Sequence, residues 1–154
     1  QTCALPISLG MLGTVEASER LRAALPGVSR ENRLALCEGL LRCAETLAAG
    51  GRRAEAAAIY DALRGRDDVP HQVLTAALRG AVLARQDAGL PLLVEACRGK
   101  DFLLVKAAAL TSLEMPGSKV TEAVAGVLEG LPADSQIVLI QALGARGDKA
   151  ALPA

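Results

Sequence analysis

The chain has 154 residues, of which 51% are apolar, and its seventeen basic and seventeen acidic residues cancel to a net charge of zero. This balance excludes a global field that would favour nucleic acid or anionic lipid. Because the chain has one Tyr, one Phe and no Trp, its core must consist of Leu, Val, Ile and Ala, which suits closely packed helices. Charged residues or glycine interrupt each apolar run within about ten residues, so we expect no membrane span.

The first seven residues differ in character from the rest of the chain. Gln1 to Ile7 match the translation of a common sequencing-library adapter, CAG ACG TGT GCT CTT CCG ATC T, and fit no helix of the pattern that follows. We therefore predict that residues 1–7 are not native sequence. At the other end, Leu152-Pro153-Ala154 stop within an apolar pattern, so we interpret residues 8–154 as one domain from a longer protein.

Apolar residues recur at three- and four-residue spacing along most of the chain, which predicts amphipathic helices. The predicted helices cover about 15–24, 30–49, 52–63, 70–84, 88–98, 101–113, 119–130 and 132–143, and another begins after Asp148. The apolar runs at 102–105 and 137–140 would also suit strands, but their alanine-rich continuations favour helix. Short oxygen-bearing residues stand at predicted helix starts, where they cap the backbone: Thr14, Ser29, Asp87, Ser118 and Asp148.

The predicted turns recur at a nearly constant interval. Asp87 and Ser118 are 31 residues apart (118 − 87), and Ser118 and Asp148 are 30 apart (148 − 118). Two-helix repeats of this length predict a right-handed α-solenoid, in which each hairpin buries its apolar face against its neighbours. Counted from Thr14, the chain would hold four helix pairs and the first helix of a fifth.

Three turns carry a family resemblance. The segment Leu143-Gly-Ala-Arg-Gly-Asp-Lys-Ala-Ala-Leu-Pro153 resembles the turn and first helix of bacterial HEAT repeats, including the class related to phycobilin lyases. Residues 83–93 match less closely, and residues 9–14 match the turn alone. Residues 31–64 look more like a tetratricopeptide hairpin, with Ala56 and Tyr60 at its small and aromatic positions. The resemblance implies an all-α, HEAT-like solenoid and leaves function open, because such arrays serve many roles.

Residues with catalytic or metal-binding potential are scarce. His71 lies at a helix start with no nucleophile placed beside it by any motif, so we interpret it as a surface residue. Cys37 and Cys43 are six residues apart on different sides of one helix, which favours buried thiols, and Cys97 is interpreted in the same way. With one histidine and no carboxylates at ligand spacing, we expect neither a metal site nor a cofactor.

Two charged motifs also have structural interpretations. Arg146-Gly147-Asp148 spells an integrin-type tripeptide, but glycine serves as a helix terminator and aspartate as a cap at this turn. Four arginines form a cluster that would suit a phosphate, yet carboxylates lie among them, so we predict a solvated, paired face. The cluster consists of Arg52, Arg53, Arg64 and Arg66, with Glu55, Asp61, Asp67 and Asp68.

The predicted architecture indicates a non-catalytic scaffold that binds a protein or peptide on the concave face of the solenoid, formed by the second helix of each pair. On the helix after Pro70, His71 shares one exposed arc with Gln72, Thr75 and Arg79, and alignment of the repeats places Thr111 and Gln141 where Arg79 stands. We predict a polar binding ridge formed by Gln72, Thr75, Arg79, Thr111 and Gln141.

The alternative function is a structural arm of a larger enzyme, or a HEAT-type lyase whose catalytic part lies outside this fragment. A HEAT-like DNA glycosylase is disfavoured, because the chain lacks the aromatic residues and the basic channel that base recognition requires. We expect no nucleic-acid partner. Because the last helix would lack its packing partner, we also expect the C-terminal end to favour self-association.

Overall fold

The computed structural model describes residues 4–151, with side chains from residue 6 onward. Within this range there are nine α-helices, three short 3-10 turns and no strand, so the predicted all-α class is confirmed for the described chain. The helices are α1 (Ala4–Met11), α2 (Val15–Ala24), α3 (Arg30–Ala49), α4 (Arg53–Arg64), α5 (His71–Arg85), α6 (Leu90–Cys97), α7 (Phe102–Ser112), α8 (Ser118–Ala125) and α9 (Ala133–Arg146). The 3-10 turns are Leu25–Gly27, Gln86–Gly89 and Lys149–Ala151.

Helix positions differ from the prediction mainly near the two ends of the chain. Residues 4–7, expected to fit no helix, belong to α1, which packs against α3. The helix expected to reach Gly130 ends at Ala125, where Gly126 follows. After Asp148 the described chain forms only a 3-10 turn, and residues 1–3 and 152–154 lie outside the described range. Self-association through the C-terminal end therefore stays a prediction.

Two of the predicted helix caps are confirmed. The Thr14 hydroxyl accepts a hydrogen bond from the Ala17 N–H at 3.1 Å, at the start of α2. The Asp148 carboxylate accepts one from the Ala150 N–H at 3.0 Å. In both places a side-chain oxygen satisfies a backbone donor that has no partner within the helix.

Two of the predicted caps are wrong, and a third is right in position only. Ser29 occupies the cap position of α3, as predicted, but its side chain makes no hydrogen bond to the helix backbone. Ser118 is the first residue of α8, and Gly117 occupies the cap position with a φ of 89°, which only glycine adopts readily. Asp87 lies inside a 3-10 turn, and α6 begins after Gly89, which has no side chain to donate or accept.

The helices form two compact units, the first ending at Arg85 and the second beginning at Gln86. In the first unit α3 is central and packs against α1, α2, α4 and α5. Its contact with α1 depends on glycine, because a Cβ at Gly10 would lie 2.3 Å from the carbonyl oxygen of Gly39. Leu40 and Leu47 of α3 are fully buried at the centre of this unit.

The contact between α4 and α5 depends on Tyr60 and Gly80. Tyr60, the only tyrosine of the chain, is 5% exposed. A Cβ added at Gly80 would lie 2.3 Å from Tyr60 Cε1, so the ring packs directly on the α5 backbone. The apolar spacing of the helix predicted at 52–63 places Tyr60 on its inward face, and the burial of Tyr60 is confirmed.

The second unit is built from α6 to α9. The helix α6 packs against α7 and α8, and α9 packs against the same two helices. These contacts place α6 beside α8 and α7 beside α9. Leu93, Val105, Val124 and Leu139, one from each helix, are completely buried between them.

We predict that Gly80→Ala lowers the free energy of unfolding by about 2 kcal/mol, because the added methyl overlaps the Tyr60 ring and forces it to move. Gly144→Ala is the matched control. Gly144 also lies in a helix, but no described atom beyond the nearby backbone of that helix comes within 4 Å of its Cβ position, so alanine there should raise stability by up to about 1 kcal/mol. Urea unfolding followed by circular dichroism measures both, and equal effects would show that the Tyr60 contact is loose.

Burial raises the pKa of Tyr60 from its ordinary value of 10 to about 12. Between these values the unfolded chain releases the phenolic proton while the folded chain keeps it, so the Tyr60 contribution to stability is lost as pH rises from about 10 to 12. We expect phenolate absorbance of the folded protein to titrate well above pH 10. The alkaline loss of stability should be smaller in Tyr60→Phe, and an ordinary tyrosine titration would contradict the burial.

Candidate interaction surface

Three of the five residues predicted to form a binding ridge lie on α5. Gln72 and Arg79 are exposed there, as is the neighbouring His71, in agreement with the sequence analysis. Thr75 is half-buried, and its hydroxyl donates to the Gln72 carbonyl at 3.0 Å. These three residues therefore share one side of α5 in the first unit.

The remaining two ridge residues differ from each other. Gln141 is exposed on α9. Thr111 is 1% exposed, and its hydroxyl donates to the Ala107 carbonyl at 2.7 Å within α7. Its predicted place on an exposed ridge is wrong, because α7 turns Thr111 and its neighbour Ser112 toward the core.

The same rotation exposes large apolar side chains. Leu110 is 57% exposed and Phe102 is 43% exposed on α7. On α9, Ile137 and Ile140 are 53% and 55% exposed. The sequence carried a signal for this, since the arc of α7 opposite Leu110 holds alanine, serine and threonine at helical spacing.

Exposed residues of α7 and α9, with Leu113 directly after α7, make up the set that we call the α7–α9 face. We define it by the residues Leu103, Lys106, Leu110, Leu113, Ile137 and Ile140. On each helix these residues fall within an arc of about 100° at 100° per residue. The helices α7 and α9 pack side by side, and on each of them this arc lies opposite the buried residues. The face is therefore an apolar strip on two adjacent helices.

One charged side chain stands inside this strip. Lys106 is exposed. It lies three residues after Leu103 and four residues before Leu110, so the three side chains lie on one line along α7. Lys106 makes no ion pair with any residue in the described part of the chain. Its ammonium group is thus open to a partner of opposite charge.

The Arg146 side chain holds the turn between α7 and α8. Its Nε donates to the Thr121 hydroxyl at 2.8 Å. Its terminal nitrogens donate to three carbonyls of that turn, those of Ser112, Met115 at 2.9 Å and Gly117 at 2.8 Å. Arginine satisfies several acceptors at once because its five N–H groups form a planar fork.

The rest of the Arg-Gly-Asp tripeptide is also engaged. Gly147 adopts a φ of 61°, which ends α9 in the left-handed conformation. The Asp148 carboxylate caps the following turn and accepts a hydrogen bond from the Thr121 hydroxyl at 3.0 Å. Each member of the tripeptide therefore has a structural role, as the sequence analysis predicted for Gly147 and Asp148.

The cysteine thiols are buried, as predicted for all three described residues. Cys37, Cys43 and Cys97 are free and completely inaccessible. Burial raises the pKa of each thiol, and that of Cys97 to about 11. Because the thiolate is the reactive form, these residues are poor nucleophiles at neutral pH.

The predicted pairing within the arginine cluster is confirmed for three of its four arginines. Arg52 lies 3.1 Å from Glu55, and Arg64 lies 3.3 Å from Asp61. Asp68 accepts two hydrogen bonds from the Arg66 guanidinium, at 2.8 and 2.7 Å. Because these cations are already neutralised, the cluster offers little to a phosphate group.

Metal centres and membrane spans are two further classes of site to consider in the described residues. No three His, Cys, Asp or Glu side chains there converge as metal ligands would, and no described helix has both the length and the apolar character to cross a bilayer. Comparison of the chain with protein-family models, with curated proteins and with solved structures finds no match. The α7–α9 face is therefore interpreted from its own geometry.

We predict that Arg146→Leu lowers the free energy of unfolding by about 3 kcal/mol, because it leaves several half-buried acceptors without a donor. Arg98→Leu is the control. Arg98 is exposed at the end of α6, and its loss should cost less than about 1 kcal/mol. Thermal and urea unfolding measure both variants, and equal effects would show that the turn carbonyls do not depend on Arg146.

Proposed function

We propose that this chain is a non-catalytic protein-binding scaffold and that its second unit binds a partner through the α7–α9 face. The observation that carries the proposal is the exposure of five large aliphatic side chains on two adjacent helices. Together they present an apolar area on the order of a few hundred Å², the size at which exposed patches mark interaction sites. Single exposed leucines need no explanation, but a continuous group does.

We further propose that the helices form a HEAT-like α-solenoid. The contacts of the second unit support this arrangement, since first helices α6 and α8 lie side by side, as do second helices α7 and α9. The 30- to 31-residue interval between turns supports it as well. In such an array the second helices form the concave binding surface, and the α7–α9 face lies on them.

The rest of the predicted ridge takes a secondary place in this proposal. Gln141 follows Ile140 on α9 and would supply a polar group at the edge of the α7–α9 face. Gln72, Thr75 and Arg79 would form a separate polar contact on the first unit. Polar groups at the margin of an apolar centre are the usual anatomy of a protein interface.

The experiment pans a random linear-peptide phage library against the purified protein. We expect enriched peptides that bind the wild type at least about tenfold more tightly than the double variant Leu110→Asp/Ile140→Asp, because central apolar contacts dominate interface energies. Both positions are more than half exposed, so the double variant should keep its fold, which circular dichroism verifies.

The control variant is Leu12→Asp, at a leucine that is 64% exposed in the first unit and lies outside the face. It should bind the enriched peptides as the wild type does. If the peptides bind the double variant with unchanged affinity, or if Leu12→Asp weakens them equally, the α7–α9 face is not the binding surface.

A further inference from the structure

We propose that the partner inserts a short amphipathic α-helix into the α7–α9 face and places a carboxylate opposite Lys106. This inference rests on the proposed function and adds the shape and charge of the partner. It follows from the position of one lysine inside a strip of aliphatic side chains, and from the length and side-by-side packing of the two helices that carry the strip.

The charge of the partner follows from Lys106. Any occupant that covers both Leu103 and Leu110 also covers the lysine stem between them, because the three side chains share one line along α7. Covering the ammonium group without a counter-charge is unfavourable, since it loses water and gains no partner. An occupant that binds tightly must therefore bring an Asp or Glu carboxylate to this point.

A second copy of this chain meets that requirement poorly. The helices α7 and α9 carry a single carboxylate, Asp134, in the first turn of α9, where the positive end of the helix dipole favours it. Glu114 follows Leu113 at the end of the face, so two faces packed together would bring two lysines to a strip whose carboxylates stand only at its ends. A different chain with an acidic residue among apolar ones is the better match.

The shape of the partner follows from the two helices. From Leu103 to Leu113 the strip is about 15 Å long, which corresponds to about three turns of a partner helix. Two helices packed side by side leave a groove that receives the i, i+3, i+4 and i+7 side chains of a third. The described chain contains no strand, so it offers no sheet edge to an extended peptide.

The α9 side of the groove also allows close approach. Gly144 is exposed and lies on the same arc as Ile137 and Ile140. Apart from the backbone of α9 itself, no atom of the described residues comes within 4 Å of its Cβ position, so the space above it is open. A partner helix can therefore bring its backbone close to α9 at this point while its apolar side chains contact the isoleucines.

The test uses a phage library in which one surface helix of a small helical-bundle scaffold is randomised. It is panned in parallel on the wild type and on Lys106→Glu, and both enriched pools are sequenced. We expect the wild-type pool to carry Asp or Glu at one fixed position between apolar residues, and the Lys106→Glu pool to carry Lys or Arg at that position.

Affinities then provide a quantitative check. A synthetic helix from the wild-type pool should bind Lys106→Gln with roughly tenfold lower affinity than the wild type. Replacing the acidic residue of that helix by glutamine should cause no further loss of affinity towards Lys106→Gln. Lys119→Gln, at an exposed lysine on α8 outside the face, is the matched control and should bind as the wild type does.

The outcomes separate this inference from the proposed function. Enriched helices that lose binding to Leu110→Asp but show no fixed acidic position would overturn the carboxylate and leave the binding face intact. Failure to enrich any helix, while linear peptides still bind the face, would overturn the helical partner alone. Binders indifferent to Leu110→Asp would overturn both proposals. A wild-type dimer in sedimentation that Leu110→Asp dissociates would assign the face to a second copy and overturn the inference.

Discussion

The shortage of aromatic side chains is the constraint on which the rest of this structure depends. With one Tyr and one Phe in 154 residues, the core cannot be filled by large rings, and the helices must instead approach closely. Small residues make that possible. Gly10 and Gly39 allow α1 to contact α3, and Gly80 allows the Tyr60 ring to lie on α5.

Close packing also explains why α7 exposes its leucines. Its buried arc consists of Val105 and four small residues, Ala108, Ala109, Thr111 and Ser112, whose hydroxyl groups are satisfied within the helix. An inward rotation of Leu110 would bring a larger side chain into a space that fits alanine. The exposed leucines are therefore a consequence of how closely α7 lies against its neighbours, and they create the apolar strip on which the proposed function rests.

Helix positions followed from sequence because they depend on local features. The three- and four-residue periodicity and the glycine breaks are written in the chain, and Thr14 and Asp148 cap as their chemistry predicts. The inward face of α7 did not follow, because both of its arcs contain apolar residues and periodicity alone does not say which arc meets another helix. The contacts of Arg146 were also unpredictable, since they join residues 25 to 34 positions apart.

The turns after α5 and α9 share one backbone conformation although their sequences differ. Arg85-Gln86-Asp87 and Arg146-Gly147-Asp148 both end a helix with a residue in the left-handed region, at φ values of 54° and 61°. Glycine adopts this conformation freely, whereas Gln86 does so with strain. In both places the arginine reaches a preceding helix or turn, Asp61 for Arg85 and the α7–α8 turn for Arg146. The contact of Arg85 with Asp61 would offset the strain at Gln86, and an arginine that anchors the end of its helix to an earlier part of the chain is the feature that the two turns share.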